Sequence, residues 1–313
     1  MSELLSVVIP THDRPDALAR AARSVLAQQD PGPLEVVIVD DASGAATAAV
    51  IDGLRRDDRR VVSVRNDEAL GPMRARNVGL ALARGELVGF CDDDDEWLPG
   101  AARTVAGHLR ADRSVGLASS WHVVAHESSG RDVPFRGPLA YDHRHLLWQN
   151  LIGLPFGVLR REAFTFDISF DPEMVTGEDW DLWLRCAFER PVVTLPALCY
   201  RYVQHGGSRV TRKVDAQIAG RRHFVDKHGH AMSSACRLYH ETVLVDLAHG
   251  RRAAVAHLAT RAPGAPLAAA TVGGVLLTGT LASRRGIRRG DPGLPARRMA
   301  AFVDRQRAPG TSS

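Results

Sequence analysis

Leu87-Val88-Gly89-Phe90-Cys91-Asp92-Asp93-Asp94-Asp95 is an unbroken apolar run that ends in four consecutive carboxylates. A short apolar run without polar alternation reads as a strand buried on both faces, the mark of a mostly parallel sheet covered by helices. Four aspartates at the mouth of such a strand repel one another. The arrangement is relieved when a hard divalent cation or a polyhydroxyl ligand sits among them, so the run reads as a metal-assisted phosphate site. A plainer reading is an acidic first turn of a helix, since Leu98-Pro99-Gly100 opens a helical pattern.

Outward from this run, short apolar stretches alternate with longer segments of helical spacing. Leu4 to Pro10, Leu34 to Asp40, Val61 to Arg65 and Glu86 to Cys91 read as strands. Arg14 to Gln28, Ala45 to Arg55 and Pro72 to Ala83 read as the helices between them. The fold class is therefore α/β, with a mostly parallel sheet flanked by helices and ligands expected at the carboxyl ends of the strands.

Each of those ends is polar: Pro10-Thr11-His12-Asp13-Arg14, Asp40-Asp41-Ala42-Ser43, Asn66-Asp67, and then the aspartate run. Four strand ends pointing to one crevice suit a nucleotide. The first loop lacks G-x-G-x-x-G and the chain lacks GxxxxGK[ST], so neither a Rossmann dinucleotide site nor a P-loop is supported.

At 313 residues the chain exceeds what one core holds comfortably, so a main domain with an appendage is expected. Its 40 basic and 36 acidic residues leave only +4, too little to imply nucleic acid. Cys91, Cys186, Cys199 and Cys236 have no C-x-x-C spacing and fit buried reduced thiols of a cytoplasmic protein. Met1-Ser2-Glu3 leads straight into a strand pattern without a basic n-region and apolar core, so no secretory signal is expected.

Taken together, these stretches resemble the family 2 glycosyltransferases of the GT-A fold. The resemblance is carried by Ser6 to Arg14, Val37-Ile38-Val39-Asp40-Asp41-Ala42-Ser43, Gly71-Pro72-Met73-Arg74-Ala75-Arg76-Asn77-Val78-Gly79 and Phe90 to Pro99. It continues through Thr176-Gly177-Glu178-Asp179-Trp180-Asp181-Leu182-Trp183 and Tyr200-Arg201-Tyr202, so it spans roughly residues 4–210. The resemblance implies a GT-A domain over 1–210 and leaves 211–313 as a helical extension.

It also implies roles. Asp41 is expected to accept the N3–H of the donor base, with Pro10 and His12 in the loop that covers it; a Tyr is commoner where His12 stands. Asp40 or Asp41 could instead cap the helix near Ala45. Arg76, with Arg74 on the same helix, offers a bidentate fork to phosphate, against which stands a solvated pairing with Asp67 or Glu68. In the D-x-D reading Asp92 and Asp94 are the outer pair and Asp93 faces ribose. By this analogy Asp94 is the direct ligand of Mg²⁺ or Mn²⁺. Asp95 and Glu96 are expected to cap the helix entered at Trp97 to Pro99.

Asp179, in the first turn of a helix beside the crevice, is the candidate general base, or else only an N-terminal helix carboxylate. The helix dipole would lower its pKa and burial would raise it. Arg201, His205 and Ser208 resemble the family's segment that closes over the diphosphate, and a glycine-bearing mobile lid reads equally well. QxxRW, the signature of processive synthases, is absent, which favours transfer of one or a few sugars.

Beyond Thr211, Val214 to His228 and Ser233 to His249 read as helices, their histidines as solvated positions without metal spacing. Pro266 to Ala282 is apolar, holds three glycines, is shorter than a spanning helix requires and precedes Arg284-Arg285-Gly286-Ile287-Arg288-Arg289. Packing on the catalytic domain and peripheral contact with anionic headgroups at the inner membrane face both remain open. The tail from Pro292 has the composition of a disordered end.

The expectation is an inverting, metal-dependent transferase that moves a sugar from a UDP or dTDP donor to a hydroxyl acceptor, whether glycan, lipid-linked or small molecule. A sugar-nucleotide pyrophosphorylase would want a glycine-rich first loop, which Pro10 to Arg14 does not offer. A non-catalytic nucleotide-sugar or glycan binder would not need both Asp94 and Asp179. Acceptor contacts are expected between Trp121 and Leu154, where His143-Arg144-His145 and Trp148 either line a pocket or pack.

Overall fold

The structure, a computed structural model, describes residues 3–153, 157–204, 213–261, 272–273 and 301. Strands β1 (Leu5–Thr11), β2 (Leu34–Asp40), β3 (Val61–Arg65) and β4 (Leu87–Phe90) lie side by side in the order β3-β2-β1-β4, all parallel. Helices α1 (Pro15–Leu26), α2 (Ala45–Asp57) and α3 (Pro72–Leu82) connect them. Every residue of β1 and β2 is buried, as expected of strands covered on both faces. Two of the polar residues this traps, Ser6 and Glu35, answer each other. Ser6 Oγ donates to Glu35 Oε1 at 2.6 Å, and Arg84 closes on the other oxygen.

Past β4 the chain forms β5 (Glu96–Trp97), α4 (Ala101–Ala111), β6 (Leu117–His126), β7 (Arg131–Phe135), β8 (Ala140–Tyr141) and α5 (His143–Trp148). Then come β9 (Gly157–Arg160), α6 (Glu178–Glu189), β10 (Val192–Gln204) and helices α7 (Val214–His228), α8 (Ser234–His249) and α9 (Arg251–Arg261). β9 runs antiparallel between β4 and β6, and β10 lies parallel to β6. β3, β2, β1, β4, β6 and β10 therefore share one direction, and their carboxyl ends open on one side of the sheet.

Local chemistry fixes the entry of each helix near that side. Arg14 precedes Pro15, which forbids it a helical conformation and starts α1 at the proline. α3 starts at Pro72 after Gly71, whose φ of 84° a side chain would resist. α3 can then sink onto the sheet because Gly79 has no side chain. A Cβ there would stand 2.4 Å from Val8 Cγ1 and 3.0 Å from Val39 Cγ2. Gly79→Ala is expected to destabilise the protein by about 1–3 kcal/mol by overpacking, although alanine is the better helix former. Urea unfolding measures this, and a stabilised variant would contradict the packing.

Two expectations are corrected here. Asp95 and Glu96 do not cap a helix: Glu96 and Trp97 form β5 against Arg201 and Tyr200, and α4 begins after Gly100, which has no side-chain cap. The histidines of α7 and α8 are not uniformly solvated. His228 and His240 are buried, because these helices pack on α6 and α5. Phe224 stacks on Trp180 at 3.8 Å between centroids, and Gly220 lets α7 approach the backbone at Thr176. His240 bonds the Leu147 carbonyl. Among the described residues no helix is long and apolar enough to cross a membrane. His205 to Ser208 lies outside the described residues, as does Pro266 to Ala282 apart from Val272 and Gly273.

Candidate active site

The aspartate run turns away from the end of β4, and each carboxylate meets a different partner. Asp92 Oδ1 accepts from Arg76 Nη2 at 2.7 Å. Asp93 accepts from Thr11 Oγ1 at 2.8 Å and Arg14 Nη1 at 3.1 Å, and the same Arg14 nitrogen reaches Asp94 Oδ2 at 3.1 Å. Asp95 is buried and takes the Val203 N–H of β10 at 2.9 Å. Burial pushes the Asp93 carboxyl up to about 6, although Arg14 and Thr11 pull it down. Oxygens of Asp92, Asp94 and Asp95 lie within 4.8 Å of one another. Converging hard carboxylate oxygens are the donor set that Mg²⁺ or Mn²⁺ takes, so the residues fit such an ion.

Arg76 joins this run to the second acidic centre. Its guanidinium is buried, donates to Asp92 and, through Nη1, to Glu178 Oε1 at 3.1 Å. Burial works to lower its pKa, and the charges of Asp92 and Glu178 more than offset that. Glu178 and Asp179 open α6 after Gly177, whose φ of 82° gives a left-handed entry. Asp179 Oδ1 accepts from the Trp180 N–H at 2.7 Å, and Oδ2 from Asn150 Nδ2 at 3.1 Å. Burial and then the neighbouring Glu178 charge push its carboxyl up to about 7, against the Trp180 amide, Asn150 and Arg76.

At the far end of the crevice Asp41 is buried and accepts three bonds, from Asn66 Nδ2, the Leu70 N–H and the Gly71 N–H, at 2.8–2.9 Å. It ties the β3–α3 loop to β2 rather than capping α2, whose N-cap is Gly44. His12 Nδ1 donates to the Asp41 carbonyl at 2.6 Å and keeps its ring half exposed, while Pro10 belongs to β1 opposite Val39. Arg74 is exposed on α3. Asn77 exchanges two hydrogen bonds with the backbone of Phe170.

Arg201 is placed on β10 opposite Glu96 and pairs with Glu96 and Asp132. His143, His145 and Trp148 pack: His143 stacks on Phe188, His145 forms a capping box with Asp142, and Trp148 lies against Tyr239. A cleft between β6, β7 and the loop after α5 is lined by Ser119, Trp121, His122, Phe135, Ile152 and Thr194. Asn150, which holds Asp179, stands on that loop and accepts the Ile152 N–H.

Arg14, Glu178 and Asn150 are parts of the site that pattern reading does not single out. Arg14 meets residues 79 and 80 positions away, and Asn150 meets one 29 positions away. No periodicity encodes such pairs.

A family model described as Glycosyl transferase family 2 matches residues 6–164. WcaA of Escherichia coli (strain K12), provisionally named a colanic acid biosynthesis glycosyl transferase, is 28% identical over 79% of this chain and 89% of its own. Staphylococcus aureus TarS 1–349, solved with UDP-GlcNAc, superposes with a TM-score of 0.63 at 17% identity over 97% of this chain and 92% of its own. The Pyrobaculum calidifontis mannosyltransferase PcManGT, solved with GDP-Man and Mn²⁺, gives 0.56 at 19% identity over 98% and 87%. Fold and family match converge: the chain belongs to glycosyl transferase family 2 and is a glycosyltransferase of the GT-A fold.

Proposed function

We propose that this glycosyltransferase moves a sugar from a nucleoside diphosphate, UDP or dTDP, to a hydroxyl of a cell-envelope glycan acceptor, with inversion at the anomeric carbon. The nucleotide-sugar complexes of TarS and PcManGT and the colanic acid role in WcaA's name support the donor class and the setting. The carrying observation is the Arg76 bridge, which draws Asp92 at the end of β4 and Glu178 at the start of α6 to one guanidinium. Donor phosphates at the aspartate run and a proton acceptor at Asp179 then face one reacting centre.

Asp94, with Asp92 beside it, is assigned to hold Mg²⁺ or Mn²⁺. Such an ion, when bound, supplies Lewis-acid stabilisation to the departing diphosphate, worth several kcal/mol as an order of magnitude. The chain's own side chains do the rest. Asp41 orders the loop that meets the base, and His12 covers it. Glu178 is committed to Arg76, which leaves Asp179 as the carboxylate to take the acceptor hydroxyl proton. With Asn150 fixing Oδ2, the other Asp179 oxygen is set by the Trp180 amide. One base and no second carboxylate reserved as nucleophile fit direct displacement. The β6–β7 cleft, joined to Asp179 through the loop bearing Asn150, is the surface on which the acceptor lies.

Calorimetry of UDP with and without Mn²⁺ tests the metal assignment. Asp94→Asn is expected to weaken Mn²⁺-dependent UDP binding by about 30-fold, or about 2 kcal/mol. Equal affinity in wild type and variant, or no effect of Mn²⁺ on either, overturns it.

A further inference from the structure

Two arginines serve the aspartate run, and they are built differently. Arg76 is sealed, with a side chain 6% exposed and fixed on both sides by Asp92 and Glu178. Arg14 is 44% exposed and stands on the loop between β1 and α1. A single nitrogen, Nη1, reaches both Asp93 and Asp94 at 3.1 Å. Its backbone is held in place by Pro15 after it and by Asp13 before it, whose carboxylate takes the Gly44 N–H at 2.6 Å. The anchor is rigid, and the side chain above it is long and open to solvent.

The oxygen that Arg14 occupies, Asp94 Oδ2, belongs to the carboxylate assigned to the divalent ion. A guanidinium and a divalent cation at one carboxylate repel each other, so one excludes the other or both are weakened. The side chain that leaves stands beside the place where a diphosphate would arrive, and a guanidinium fork suits phosphate oxygens.

Resting on the metal assignment above, we propose that Arg14 is a tethered counter-cation of the aspartate run. It pairs with Asp94 before ligands bind, yields that oxygen to the divalent ion, and passes to the donor diphosphate. The exchange gives the arginine opposite effects on the two ligands, which a purely structural arginine would not have.

The test is Mn²⁺ binding to the full chain without nucleotide, followed by the electron paramagnetic resonance of free Mn²⁺, and UDP binding at saturating Mn²⁺ by calorimetry. Arg14→Gln is expected to bind Mn²⁺ alone about tenfold more tightly, as removing an occluded state from nine molecules in ten would do. It is expected to bind UDP about tenfold more weakly, having lost a charge-assisted bond. Arg14→Lys, which keeps the charge, is expected to restore the weaker Mn²⁺ affinity. If Arg14→Gln binds Mn²⁺ no more tightly than wild type while Asp94→Asn abolishes binding, the metal site stands and the exchange is overturned. If wild type and Asp94→Asn bind Mn²⁺ alike, the metal assignment and the exchange fall together.

Discussion

Asp179→Asn is expected to lower kcat by about two to four orders of magnitude, the usual worth of a general base, while Mn²⁺-dependent UDP affinity stays within about twofold of wild type. Asparagine keeps the shape of the side chain and an oxygen for the Trp180 N–H, so the first turn of α6 and the Arg76 bridge remain. What disappears is the ability to take a proton. Steady-state transfer measured beside calorimetry separates the two, and full transfer activity in the variant would remove Asp179 from the reaction. The pH profile is a second readout. A base must be ionised, and burial with the Glu178 charge holds this one at about 7, so kcat/KM of the free enzyme is expected to fall as pH drops through that value. Removing the Glu178 charge with Glu178→Gln should move that limb to lower pH, because the second-largest cause of the upward shift is gone.

The sheet up to Asp92 is legible because its determinants are local. Continuous apolar strands, proline at two helix starts and polar strand ends all lie within a few residues of what they specify. Aspartates gathered where a strand ends likewise announce an acidic centre. What sequence leaves open is how the carboxylates are shared out. Asp92 and Glu178 meet only because α3 carries Arg76 between them, and Asp41 proves to be occupied by three donors from a loop 25–30 residues on. Asp95 and Glu96 looked like helix-capping carboxylates because β5 is two residues long, too short to leave a pattern. The buried histidines of α7 and α8 misled for a related reason. A histidine satisfied by a carboxylate or carbonyl from another helix is written no differently from one in water. Arg201, expected in a segment that closes over the diphosphate after the last strand, lies within β10, and its charge goes to Glu96 and Asp132.

The C-terminal helices are tied to α6 through one buried carboxylate, Asp181. Asp181, two residues beyond Asp179 on α6, has no exposed side-chain surface. It meets His228 Nε2 at 2.7 Å, Lys227 Nζ at 3.0 Å and Arg185 Nε at 3.0 Å. Burial alone would raise its pKa; the His228 bond and the charges of Arg185 and Lys227 outweigh it and hold the carboxyl well below the usual range. A depressed carboxylate stabilises the fold above its unfolded pKa, so this contribution is present at neutral pH and fades as pH falls below the ordinary carboxylate range. Asp181→Ala leaves His228 and Lys227 facing an empty buried site, and breaking such a pair costs about 3–5 kcal/mol. Urea unfolding followed by tryptophan fluorescence is expected to show that loss, since Trp180 and Trp183 sit on the same helix. Without Lys227, Asp181 keeps His228 and Arg185 as partners and Asp171 keeps His223, so Lys227→Met should cost less than Asp181→Ala. The order of the two variants tests whether Asp181 is the hub. If both cost the same, or Asp181→Ala is silent, α7 is held to α6 by the Phe224–Trp180 stack instead. Either way α6, whose first turn carries Asp179, is packed against residues beyond 211, and its stability depends on them.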